Sequence, residues 1–320
     1  MRRKTALICT TYNCQDELDA SLKIFTSPAN LGLLDEIVIV DGGSKDGTWE
    51  LLNKWASRIS KLDVYQVPGA NISRGRNEAI KRTDAEIIVT FDSGTRYEDD
   101  WLKLMLEPFE NQGAEVVGAL TVAYGETFFE SCFAALKDKK RLAATPSHRG
   151  CAFYKKVWEK IGGYPEHVEA GEDTWFNTQW RKLGFKYVHV PEAKAYWRVR
   201  RSWKSLFNMA RRNTKGHIAL GETFGTTTIF LITFVYILGI ACLIWGFSNH
   251  LMWYIAAGLF ALNALKRMLG KGRWRTFVNP VRFLIGAYGL TAFDLGVMLG
   301  AVEGSVLFLK HKMAGKKARI

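Results

Sequence analysis

Between Thr226 and Phe247 the chain reads TTTIFLITFVYILGIACLIWGF, without one ionisable side chain. An α-helix needs about 20 consecutive apolar residues to cross the hydrocarbon core of a bilayer, and this run meets that length. The segment is therefore expected to span a membrane, and the residues before it to fold as a domain on one side. A second apolar run, Leu251 to Leu265, follows GFSNH, which supplies the turn of a helical hairpin. A third, Val281 to Leu309, is too long for one upright span and carries Asp294 and Glu303. One tilted helix, a re-entrant hairpin or two short helices would each accommodate it.

Lysine and arginine placement gives an orientation. RRNTKGH precedes the hairpin and KRMLGKGRWR follows it, so both flanks are expected in the cytoplasm. The tail KHKMAGKKARI is also basic, which favours an even number of crossings and a third segment that enters and returns. The N-terminal apolar stretch is too short for a secretory signal. The chain is thus expected to be an integral membrane protein with its large domain on the cytoplasmic face. The predicted divisions are an α/β domain over 1–196, a basic amphipathic helix over 197–222, a membrane region over 223–310 and a basic tail over 311–320. Spans are expected at about 226–247, 250–267 and 280–309.

The net charge of +13 raises the question of nucleic acid. The basic residues, however, concentrate beside apolar segments. Lys194 to Lys215 contains no acid, and Trp203, Leu206, Phe207 and Ala210 recur at i, i+3, i+4 and i+7. That pattern predicts an amphipathic helix on an anionic membrane surface, and nucleic-acid binding is disfavoured. Cys9, Cys14, Cys132, Cys151 and Cys242 lack the paired spacings of a zinc site or a disulfide framework and read as reduced structural thiols.

Residues 1–196 alternate strand and helix. TALICTTY, DEIVIVD, LDVYQV and EIIVTFD read as strands; DELDASLKIF, DGTWELLNKWASRI, SRGRNEAIKR and YEDDWLKLMLEPF read as helices. Repeated βα units imply a mostly parallel sheet with helices on both faces, and such sheets bind ligands beyond the carboxyl ends of their strands. Those ends are polar: Thr11, Tyr12 and Asn13 after the first strand, Asp41 after the second, Asp92 and Ser93 after the fourth. Arg74, Arg76 and Asn77 sit at a helix start. Carboxylates suit a base or ribose, and arginines with a helix N-terminus suit phosphate, so the set outlines a nucleotide cleft.

At this point the sequence resembles the family 2 glycosyltransferases of GT-A fold, in the membrane-associated group of exopolysaccharide and lipid-linked glycan assembly. TTYNCQDEL, IVIVDGGSKDGTWELL, SRGRNEAI, TFDSGTRYEDDWL, IGGYPEHVEAGEDTWFNTQWRKLGF and VPEAKAYW fall in that family's order and spacing. The resemblance implies inverting transfer of a sugar from a nucleotide diphosphate donor. It assigns Thr11, Tyr12 and Asp41 to the nucleoside, Arg76 to the base or phosphates, Asp92 to the ribose or a cation, and Asp173 to general base. Attack by a sugar hydroxyl requires that proton removal, and Glu172 and Asp173 begin a helix whose dipole favours their ionised forms. Two acids in a first helical turn are equally accounted for by helix stability alone. Trp175, just after the proposed base, is the candidate acceptor platform; Trp49, Trp55, Trp101, Trp158 and Trp180 read as core. Loop residues His148 and His167 read as solvated.

Two departures from the family pattern bear on a divalent cation, Mg²⁺ or Mn²⁺. The second acid of the metal motif is Gly94, and Tyr196 and Trp197 stand where a histidine is often found. One carboxylate and the diphosphate can still hold such an ion, because it keeps several waters. Glu98, Asp99 and Asp100 read as the acidic start of a helix and not as replacement ligands. Arg211 and Arg212 occupy a region where relatives carry a phosphate-contacting motif, and read equally well as flanking charge. The expected acceptor is a hydroxyl of a lipid-linked saccharide, since a lipid phosphate is already anionic and needs no base. The alternatives are transfer to a polyprenyl phosphate, a processive polysaccharide synthase, and a catalytically silent membrane scaffold that retains the nucleotide cleft.

Overall fold

A computed structural model describes residues 3–136, 146–147, 149–222, 226–269 and 277–313. His148, the basic stretch 270–276 and the end of the tail, 314–320, lie outside the described residues. Two compact units emerge. One takes the chain up to Ala123 and again as far as Arg198; the other takes the segment from Tyr124 to Leu136 and the residues from Val199 onward.

In the first unit, strands β1 (Thr5–Thr11), β2 (Glu36–Asp41), β3 (Leu62–Gln66) and β4 (Ile87–Thr90) are the apolar runs of the sequence. They lie in the order β3-β2-β1-β4, all parallel. β1 and β4 are buried almost throughout, as parallel strands covered on both faces must be. Helices α1 (Gln15–Phe25), α3 (Thr48–Ala56) and α4 (Ile72–Lys81) fall between them, as the alternating pattern predicts, and the short α2 (Pro28–Leu33) is an addition to that pattern. Beyond β4 the sheet turns antiparallel, with β7 (Cys151–Tyr154) beside β4 and β6 (Val116–Tyr124) beside β7. β8 (Tyr187–Arg198) and the short β5 (Thr95–Tyr97) pair antiparallel at the far edge.

β5 differs from the expected helix start at Tyr97. Tyr97 goes into the aromatic cluster of Phe25, Phe91 and Trp101, and α5 begins only at Trp101, running to Asn111. The core is otherwise the predicted one: Trp101 and Trp180 are fully buried, and Trp49 and Trp55 pack partly buried against it. The unit is completed by α7 (Lys155–Ile161) and α8 (Glu172–Lys182).

The second unit contains α6 (Phe128–Leu136), α9 (Trp203–Ala219), α10 (Thr226–Trp245), α11 (Leu251–Leu269) and α12 (Pro280–Met313). α10 and α12 are the described helices long and apolar enough to cross a membrane, with mean hydropathies of 2.5 and 1.7. The expected re-entrant hairpin is not seen: 280–313 is one continuous helix, about 51 Å long at 1.5 Å per residue. Its continuity has a packing reason. Gly296, Gly300 and Gly304 put a bare stripe against the α9 backbone at Phe207, Arg211 and Lys215, where any Cβ would collide. α9 is the amphipathic basic helix expected, begun by a capping box between Ser202 and Ser205. Its apolar face (Leu206, Met209, Ala210) is buried, and that face lies against α12 instead of being free for lipid. Asp294 is fully buried, paired with Arg267 and accepting from Asn263 (3.2 Å) and Tyr236 (3.4 Å), so it faces protein as a charge in an apolar helix should.

Candidate active site

The ends of β1, β2 and β4 are tied together by short polar side chains. Asn13 takes a left-handed conformation, φ 48°, which a small polar residue tolerates. Its N–H donates to Ser44 Oγ (2.8 Å) and its Oδ1 accepts from Lys45 N (2.9 Å), joining the loops after β1 and β2. Thr11 Oγ1 lies 2.6 Å from Cys14 Sγ, and the Cys14 thiol donates to Ser93 Oγ at 3.1 Å, joining β1 to the end of β4. Tyr12 stands out from this lacing, 60% exposed.

Asp41, at the end of β2, is engaged by the loop that follows it. Its carboxylate is fully buried and accepts from Gly43 N (3.0 Å), Ser44 N (2.9 Å), Ser44 Oγ and Gln66 Nε2 (2.9 Å). Oδ2 takes three of these bonds and is committed to the loop, while Oδ1 takes only the one from Ser44 Oγ.

α4 supplies the centre of the site. Gly75 lets the helix lie directly on β1, since a Cβ there would occupy the place of the Thr10 hydroxyl. Asn71 caps the helix by accepting from Arg74 N at 2.9 Å. Arg74 is exposed, with no side-chain partner among the described residues. Arg76 points inward, 2% exposed, and its guanidinium bridges two acids: NH1 to Glu172 Oε1 at 2.9 Å and NH2 to Asp92 Oδ1 at 3.1 Å. Burial works against the Arg76 charge, but Asp92 and Glu172 outweigh it and raise the pKa above that of a free guanidinium. The buried Tyr164 ring lies below, 5.7 Å from the guanidinium carbon.

Asn77 is not a free ligand. Its Nδ2 donates to Tyr164 O (2.9 Å) and Glu166 Oε1 (2.8 Å), while its Oδ1 accepts from Trp158 Nε1 (2.9 Å) and Tyr164 N (2.8 Å). Every hydrogen-bonding position of the amide is used by protein. Together with Asn71, which donates to Glu166 O and Val168 O, it holds the segment leading to α8.

α8 carries the acid pair. Gly171 precedes it at φ 91°, a turn that glycine makes without strain. Glu172 is 6% exposed and committed to Arg76; burial and the adjacent Asp173 charge push its carboxyl upward, against the pull of Arg76. Asp173 is half-buried, and its Oδ1 accepts from Thr174 N at 2.7 Å. Its Oδ2 has no partner among the described residues. The two acids therefore separate by role, Glu172 as anchor and Asp173 as the available carboxylate. Trp175 is 6% exposed, leaving little of its ring open as a platform for an acceptor; the helical phase that turns Asp173 outward turns Trp175 in.

Asp92 meets a second cation that the sequence reading did not single out. Arg149 Nε lies 3.7 Å from Asp92 Oδ2. The Tyr97 hydroxyl accepts from Asp92 N (3.0 Å) and donates to Arg149 O (2.6 Å), so one side chain fixes both backbones. Glu98 accepts from Tyr196 Oη at 2.6 Å and lies ahead of α5, not in the helix start expected for it. Among the described residues no group of three or more His, Cys, Asp or Glu side chains forms a metal cage. Asp92, at this end of β4, is half-buried with guanidinium groups facing both its oxygens. Arg211 and Arg212 belong to the second unit, where Arg211 makes a bidentate pair with Glu303 and Arg212 is exposed on α9.

A parallel half-sheet with polar strand ends, a buried arginine tying a strand-end acid to a helix-start acid, and one carboxylate with an unpartnered oxygen meet at the carboxyl ends of the strands in a fold of GT-A type. Comparison with known proteins agrees. Residues 6–150, a little under half of the chain, match the model of glycosyl transferase family 2. It is 24% identical over 213 residues to the O-antigen chain rhamnosyltransferase RfbN of Salmonella typhimurium, covering 59% of this chain and 65% of that one. It is 24% identical over 189 residues to the succinoglycan biosynthesis protein ExoA of Rhizobium meliloti, covering 52% and 57%. The chain thus spans less than two thirds of the length of either relative. Among solved structures, the mannosyltransferase PcManGT of Pyrobaculum calidifontis, in complex with GDP-Man and Mn²⁺, superposes with a TM-score of 0.61 at 17% identity, covering 98% of this chain and 88% of that one.

Proposed function

We propose that the protein is an inverting glycosyltransferase that moves a sugar from a nucleotide diphosphate donor to a hydroxyl of a membrane-associated acceptor, a lipid-linked saccharide. The observation that carries this reading is the Asp92–Arg76–Glu172 bridge, which holds Asp173 with one oxygen free beside the strand ends. In this mechanism Asp173 Oδ2 takes the acceptor proton as the hydroxyl oxygen bonds to the anomeric carbon. The bond to the donor diphosphate breaks on the opposite face, and its electron pair leaves with the diphosphate. Exposed Arg74 at the start of α4 is positioned by the helix for phosphate. Among the described residues Asp92 is the carboxylate at the end of β4 that would hold a divalent cation arriving on the donor, and such an ion, when bound, would spread the charge of the leaving diphosphate.

The membrane assignment rests on exposure. Only 22% of the apolar window in α10 is buried, and Phe230 (69%), Ile244 (68%) and Trp245 (61%) stand in the open. A core helix of a water-soluble protein would cover these side chains, whereas a bilayer covers them without protein contacts. Membrane anchorage places the enzyme where lipid-linked acceptors lie.

The test is binding of UDP- and GDP-sugars to the purified full chain, followed by transfer to lipid-linked saccharides and to polyprenyl phosphate. Donor-dependent glycosylation of the saccharides is expected. Ready glycosylation of polyprenyl phosphate with no transfer to saccharides would overturn the acceptor assignment, and donor binding with neither transfer nor donor hydrolysis would favour a silent scaffold.

A further inference from the structure

Arg149 is held more firmly than a surface arginine needs to be. Its backbone carbonyl is anchored by the Tyr97 hydroxyl that also fixes Asp92. Its guanidinium carbon lies 4.8 Å from the centre of the Trp197 ring, its NH1 donates to Ser147 Oγ at 2.9 Å, and its Nε faces Asp92 at 3.7 Å. NH2 has no partner among the described residues, and the side chain is 28% exposed. The result is a guanidinium fixed on three sides and open on the fourth, beside the carboxylate at the end of β4.

The neighbouring position explains why such a cation is useful. Gly94 stands where a second acid would complete a metal motif. No backbone constraint asks for glycine there: its φ is not left-handed, and a Cβ would meet nothing within 4 Å. The second carboxylate is thus missing without any steric cause. Asp92, Glu172 and Asp173 carry three negative charges when ionised, against the two positive charges of Arg76 and Arg149. Arg76 is buried and committed, so Arg149 is the cation of this cluster with a free donor.

We propose that Arg149 is a donor-site residue: its free N–H edge binds the diphosphate of the nucleotide donor and counters the charge that the absent second acid would have countered by holding a metal ion. This rests on the glycosyltransferase reading. A guanidinium presents a planar fork that matches two phosphate oxygens, and its charge does not titrate in the working range. Trp197 supports the face of the guanidinium.

The test compares wild type, Arg149→Gln and Arg149→Lys as full-length protein in detergent. Calorimetric titrations with nucleoside diphosphates and monophosphates, UDP and UMP or GDP and GMP, are run with Mn²⁺ and with EDTA. In EDTA, Arg149→Gln is expected to weaken diphosphate binding by ~10-fold or more, the size of a lost charge-assisted hydrogen bond, and monophosphate binding by less than ~3-fold. Arg149→Lys should recover part of the loss, and Mn²⁺ should help the Gln variant more than wild type. Unchanged melting temperatures would show that the variants fold; if they do not, Arg149→Lys alone decides, through its ratio of diphosphate to monophosphate affinity. Equal affinity for the diphosphate in all three proteins, or equal loss for diphosphate and monophosphate, overturns the proposal. Failure of wild type to bind any of the nucleotides would instead remove the transferase reading on which it stands.

Discussion

Replacing Arg76 with Met is expected to loosen the first unit far more than a typical ion-pair deletion, and to do so in a pH-dependent way. Arg76 is 2% exposed, and the Glu172 side chain it contacts at 2.9 Å is 8% exposed. Removing one partner of a buried pair leaves an uncompensated charge and costs about 3–5 kcal/mol. Two acids lose their partner here, but Asp92 is 26% exposed and keeps Arg149, so Glu172 carries most of the loss. Glu172 already has its carboxyl pushed up by burial and by Asp173, and without Arg76 it rises further. A carboxyl whose folded pKa lies above its unfolded value favours the fold below the unfolded pKa and loses that contribution as pH climbs through the folded one. The penalty should therefore be full at pH 8 and partly relieved towards pH 5, where Glu172 takes up a proton. The assay is hydrogen exchange of β1 and β4 amides in wild type and Arg76→Met at both pH values. Each 1.4 kcal/mol is tenfold, so exchange through local opening should quicken by ~10² to 10³ at pH 8, and by less at pH 5. A change below about tenfold at pH 8, or the same change at both pH values, would refute the reasoning.

Gly75→Ala should destabilise the α4–β1 contact by about 1–3 kcal/mol, read as a lower melting temperature, because the added Cβ must displace Thr10. Gly94→Asp should fold like wild type and tighten Mn²⁺ binding in the presence of nucleotide by ~10-fold or more, measured by calorimetry, since a charge-assisted contact is added in open space. Asn77→Ala should loosen residues 164–168 by about 1–3 kcal/mol, seen as faster exchange at Tyr164 N, since Trp158 and Tyr164 lose their buried acceptor.

The fold was legible in the sequence where local pattern decides. Apolar runs of strand length alternating with amphipathic helices specified β1 to β4 and α1, α3 and α4, and the polar strand ends pointed to the candidate site. The reading faltered where tertiary contacts decide. β5 has only three residues, and its pairing partner β8 lies about a hundred residues on, so Tyr97 looked like the beginning of a helix. Asp41 and Asn77 have the right chemistry for ligands, but their hydrogen bonds go to loops whose approach no local pattern encodes. Arg149 was missed for the same reason: nothing around it marks it, and only the Tyr97 hydroxyl and the pairing of Thr95 with Trp197 bring it to Asp92. The third apolar segment was ambiguous because hydropathy records apolar content; the glycine stripe that packs it against α9 settles a continuous helix.

The most direct test of the central claim is transfer from labelled nucleotide-sugar donors to lipid-linked saccharide, catalysed by wild type and Asp173→Asn. The account predicts that wild type transfers and that the variant still binds donor with unchanged affinity, while its rate falls by ~10² or more, the loss of a general base. Transfer by Asp173→Asn at the wild-type rate would contradict it.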